Sequence, residues 1–72
     1  MDILTYYGRH ERECEVAFFH AAPDRPVSLP ALVYAAVHGL RGELRGMLNR
    51  APASVRARFE RMLRTSHLSA PS

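Results

Sequence analysis

The first third of the chain sets two apolar clusters around a charged centre. Ile3-Leu4-Thr5-Tyr6-Tyr7 comes first, Gly8 to Glu13 follows, and Cys14 to Ala21 closes the segment. β-Branched and aromatic residues are frequent in both clusters, which favours strands. A hairpin turning near His10 and Glu11 would place Ile3, Thr5 and Tyr7 beside Phe18, Val16 and Cys14 on one face. The same residues also read as a helix, since Ile3, Tyr7, Cys14, Phe18 and Ala21 fit helical spacing. Gly8 weighs against the helix by about 1 kcal/mol relative to Ala. The hairpin is therefore the expectation and the helix its alternative.

Ala22 to Pro30 interrupts the pattern. Pro23, Pro26 and Pro30 remove backbone donors and push the residues before them towards extended conformations. Ser28 suits an N-cap, and Pro30 falls in the first turn, where its missing N–H costs nothing. From Leu29 the period is helical. Leu29, Leu32, Val33, Ala36, Val37, Leu40, Leu44, Met47 and Leu48 form one broad stripe, with Asn49 as its stop. Pro52 opens a second helix whose apolar positions are Val55, Phe59, Met62 and Leu63. The expected fold class is thus α+β, an N-terminal antiparallel hairpin followed by two helices. An all-α three-helix domain is the alternative. Residues 1–65 read as a single small domain and 66–72 as a flexible C-terminal tail.

Length limits what this fold can do. A 72-residue chain buries only about 60–65% of its unfolded surface, so its own core is marginal. Cys14 is the only cysteine, which excludes an internal disulfide. A partner subunit or a larger binding partner is the remaining support. The apolar run Leu29–Val37 is far short of the roughly 20 residues a membrane span needs. The N-terminus has neither a basic region nor an apolar core of signal-peptide type. The expected location is the cytoplasm, with no membrane contact.

Charge then divides the chain. Residues 1–36 hold three Arg and five acidic residues, a balance of −2. Residues 37–72 hold seven Arg and two Glu, a balance of +5. Lys is absent throughout. His38, Arg41 and Arg45 would share one face of the long helix, and Arg58 and Arg61 one face of the last. Arg suits bidentate contact with carboxylate or phosphate. Such a stripe fits an acidic protein surface or a nucleic-acid backbone.

Two further patterns point to interfaces. Ala31, Ala35, Gly39, Gly42 and Gly46 recur at helical spacing, although each Gly inside a helix costs about 1 kcal/mol. A break near Gly39, packing on the last helix, or a homodimer seam over Ala35, Gly39, Gly42 and Gly46 would each account for them. On strands, the consecutive pairs Tyr6-Tyr7 and Phe18-Phe19 would send one ring inward and one outward. Tyr6 and Phe19 are then exposed anchors of the kind interfaces use.

Chemistry of other kinds has little purchase. His10, Cys14 and His20 are metal-ligand types, but structural zinc wants four ligands at tighter spacing. No phosphate loop, nucleophile elbow or dinucleotide fingerprint is present. No catalytic residue, metal or cofactor is expected. The chain reads as a small non-catalytic regulatory or inhibitory protein that binds a larger protein with an acidic surface, of the kind that phages and mobile elements encode. Tyr6, Phe19, Tyr34, Arg41, Arg45, Arg58 and Arg61 are its candidate contact residues. The second reading is a dimeric nucleic-acid-binding transcriptional regulator using the same Arg-rich helices.

Overall fold

A computed structural model describes residues 1–65, and these form helices joined by short corners and one longer loop. In chain order they are α1 (Ile3–Arg9), α2 (Glu11–Phe19), α3 (Leu29–Val37), α4 (Arg41–Arg50) and α5 (Ala53–Thr65). The segment 66–72, expected to be a tail, lies outside the described residues.

The N-terminal hairpin is not formed; residues 3–19 are two helices, and the described residues contain no strand. Three local features explain the correction. The Asp2 carboxylate accepts the Thr5 N–H at 2.7 Å and caps α1. No Asn-Gly or Asp-Gly pair stands at the proposed turn to close two strands. His10 instead makes a helical corner. Its N–H reaches the Tyr6 and Tyr7 carbonyls at 3.0 and 3.2 Å, and its own carbonyl accepts from Cys14 N–H at 2.8 Å. Burial follows the helical period as well. Ile3 and Cys14 are fully buried, whereas Thr5 and Val16 are exposed. A hairpin would have put all four on the same face.

The long helix expected from Leu29 to Leu48 is two helices, α3 and α4, broken at His38–Leu40. Gly39 adopts φ +69°, a left-handed conformation. Its N–H bonds to the Ala36 carbonyl at 3.3 Å, and Leu40 N–H bonds to the Ala35 carbonyl at 2.9 Å. This pair of bonds is a Schellman termination, which satisfies carbonyls the ended helix would otherwise orphan. A Cβ at Gly39 would meet no atom within 4 Å, so backbone strain is the whole cost of adding one. Gly39→Ala is expected to lose about 1–2 kcal/mol. Thermal denaturation would show it as a Tm lowered by roughly 4–8 °C per kcal/mol.

α3 is the centre of the domain. It touches each of the other four helices. Its sequence, Leu-Pro-Ala-Leu-Val-Tyr-Ala-Ala-Val, is apolar all round, as a helix enclosed by others must be. Leu29, Ala31, Leu32, Val33 and Ala35 are buried in it. Ser28 takes the N-cap position with extended backbone but makes no side-chain cap bond. One core cluster joins α3 to Ile3 of α1, Cys14 of α2, Met47 of α4, and Phe59 and Met62 of α5. Val27, from the Pro-rich loop, and Ala51, from the α4–α5 turn, complete it. Cys14 is a free thiol in this core. Burial, with the Glu13 carboxylate adding to it, pushes the thiol above its ordinary range. It is therefore a packing residue and not a reactive thiolate.

Candidate binding surfaces

The packing of α1, α2 and α3 gathers five aromatic rings. Tyr34 of α3 is sandwiched between Phe18, at 4.8 Å and 25°, and His38, at 4.1 Å and 26°. Phe19 stands edge-on to Phe18 at 5.2 Å and to Tyr34 at 5.4 Å. Tyr7 of α1 meets His38 edge-on at 5.7 Å, and its hydroxyl lies 3.1 Å from His38 Nε2. Desolvation, then the Glu11 carboxylate, pushes the Tyr7 phenol above its ordinary pKa, so it keeps its proton at neutral pH. With the His38 proton on Nδ1 the phenol donates and Nε2 accepts; with it on Nε2 the ring donates to the phenol oxygen.

This ladder is not covered. Phe19 is 63% exposed, although two rings hold it edge-on. Val16, one turn earlier on α2, is 45% exposed. Stacked and edge-on ring pairs each add about 0.5–1.5 kcal/mol beyond burial, which keeps the exposed ring in place.

Comparison with protein-family models, curated proteins and solved structures finds no match. The surfaces must be read on their own chemistry.

The seven contact residues expected from the sequence fall into three places. Phe19 and Tyr34 meet in the aromatic ladder. Tyr6, Arg58 and Arg61 line one pocket between α1 and α5, together with His10. Arg41 and Arg45 stand one turn apart and exposed on α4. His38, expected to share a face with these two, ends α3 and belongs to the ladder. Tyr6 and Tyr7, treated as an inward and an outward ring, are both half-buried on different sides of α1. Tyr6 faces the α5 pocket and Tyr7 faces α3.

The four seam residues do not form a stripe. Ala35 is fully buried in the chain's own core, and Gly39 lies in the break between helices. Gly42 and Gly46 do come together. With Phe18, Met47 and Arg50 they line a groove of about 300 Å³. A Cβ at Gly42 would touch nothing, and one at Gly46 only the Arg50 guanidinium at 3.9 Å. Neither glycine is needed for close packing inside the chain.

His38 and Val16 are functional candidates that the sequence reading did not place with Phe19. Each had a signal. His38 follows Tyr34 by four residues and Val16 precedes Phe19 by three, so each pair shares a helix face. The set His10, Cys14 and His20 is not a ligand cluster. Cys14 is in the core, His10 Nδ1 lies 3.3 Å from a Glu13 carboxylate oxygen, and His20 Nδ1 lies 3.1 Å from the Val16 carbonyl. No three His, Cys, Asp or Glu side chains among the described residues gather as metal ligands.

Proposed function

We propose that this chain is a small non-catalytic regulatory or inhibitory protein that acts by docking on a larger protein with an acidic surface. The observation that carries the reading is Phe19, a large apolar ring exposed yet fixed by its neighbours. A ring already ordered before binding loses little conformational freedom on docking, which is how aromatic anchors become hot spots. The exposed cations Arg41 and Arg45 of α4 supply complementary charge. Neither makes an ion pair among the described residues, so each is available to a partner carboxylate. No described helix is long and apolar enough to cross a membrane. A cytoplasmic partner is part of the proposal.

The test is affinity capture from the native host, comparing the wild type with the Val16→Ala/Phe19→Ala double variant. Truncating the patch is expected to weaken the retained partner by at least about 2 kcal/mol, roughly 30-fold in Kd. Circular dichroism should stay unchanged, because both side chains are exposed. A partner held equally well by the variant would refute the docking surface. Tight binding to duplex DNA that falls steeply with salt would instead favour the regulator that reads nucleic acid through the same Arg residues. Sedimentation of the wild type adds the oligomeric state, and a mass of twice 8.1 kDa would make a second copy the partner across the Gly42–Gly46 groove.

A further inference from the structure

The pocket between α1 and α5 lies apart from the aromatic ladder and has a different chemistry. Its volume is about 290 Å³, and Met1, Tyr6, His10, Arg58, Arg61 and Met62 line it. Arg58 and Arg61 are one turn apart on one face of α5, and both line the pocket. Neither makes an ion pair or side-chain hydrogen bond among the described residues. Tyr6 and His10, one turn apart across the end of α1, form the opposite wall, with ring centres 4.6 Å apart and planes tilted by 40°. Met1 and Met62 add apolar, polarisable surface.

The walls call for a ligand with two parts. Two guanidinium groups bring a charge of +2, which a phosphate monoester, with three oxygens and up to two negative charges, balances better than a singly charged carboxylate. The tilted ring pair and the polarisable methionines favour a flat aromatic ring carried by that phosphate. We propose that this pocket binds a nucleoside monophosphate, its phosphate held by Arg58 and Arg61 and its base set against Tyr6 and His10.

The Tyr6 phenol supports this arrangement. Desolvation raises its pKa first and the Glu13 carboxylate raises it further, while Arg58 opposes them. The hydroxyl is therefore protonated at neutral pH and can donate to a phosphate oxygen. The Glu13 carboxylate that acts on Tyr6 lies 3.3 Å from the His10 ring nitrogen Nδ1. Thr65, at the rim, turns its hydroxyl to the Met62 carbonyl at 3.0 Å and so supplies no donor.

Calorimetric titration with adenosine 5′-monophosphate, adenosine and inorganic phosphate tests the site. The monophosphate should bind saturably, about tenfold or more tighter than either fragment, because only it engages both walls. Arg58→Gln and Arg61→Gln should each weaken it by about tenfold, the scale of one lost charge-assisted bond. Both side chains are exposed, so folding is not at stake. The Val16→Ala/Phe19→Ala variant should bind the monophosphate as the wild type does, which separates this site from the docking surface. No saturable binding at about ten millimolar, equal affinity for inorganic phosphate, or binding indifferent to both Arg substitutions would overturn the proposal.

Discussion

Phe59→Ala is expected to leave the chain largely unfolded at 25 °C. Phe59 is the largest fully buried side chain, and it anchors α5 in the core around α3. Truncating a buried Phe costs about 3–5 kcal/mol, part from lost transfer energy and part from the cavity left behind. A single core in a domain of this size rarely supplies more than about 3–5 kcal/mol in all. The loss and the total are of the same order, so the substitution removes most of the fold's stability. Far-UV circular dichroism and urea titration would read it. Phe59→Leu keeps most of the volume and should remain folded, with a loss of about 1.5 kcal/mol or less. A Phe59→Ala protein melting cooperatively within about 1 kcal/mol of the wild type would show that α5 is not held through this ring.

Ile3→Ala is expected to cost about 2–5 kcal/mol, although Ile3 is the third residue of the chain. Chain ends ordinarily tolerate substitution unless they are tied down. This one is tied down. Ile3 is fully buried, and the Asp2 cap fixes the first turn of α1 that carries it. The neighbouring Thr5→Glu gives the contrast. Thr5 is exposed in the first turn, so Glu there should change stability by no more than about 0.5 kcal/mol. A hairpin would have put both residues on its covered face, where a buried Glu is expensive. Urea denaturation of the two variants therefore tests the helical assignment of the N-terminal third. Equal, large losses for both would restore the hairpin.

The second half of the chain was readable because its apolar positions recur at one period. Of the apolar positions expected inside, Leu29, Leu32, Val33, Met47, Phe59 and Met62 are buried, while Ala36, Val37, Leu40, Leu44, Leu48, Val55 and Leu63 are half-buried against the core. The first third misled because aromatic and β-branched residues suit a strand and a well-packed helix alike. Asp2 carried the deciding local signal, an N-cap placed before the first apolar residue. Gly39 was legible as a possible break, but periodicity continues through it, since Leu40 and Leu44 keep the stripe in register. The left-handed backbone at Gly39 and the non-helical backbone at Leu40 divide α3 from α4.

Length, charge division, the single thiol and the helical apolar stripe were properties of the sequence. They follow from local rules, namely side-chain period, proline and glycine backbone limits, and the count of ionisable groups. The ring ladder and the Arg58–Arg61 pocket were decided by tertiary packing. Phe18 and Tyr34 are sixteen residues apart, and Tyr6 is more than fifty residues from Arg58. No local period relates residues so far apart. Their meeting depends on the angle of the corner at His10 and on α3 lying among its four neighbours. The same geometry buries Ala35 and parts it from Gly42 and Gly46, although all three share one spacing in the sequence. Helical spacing places residues on a face, and only the packing of whole helices determines what that face meets.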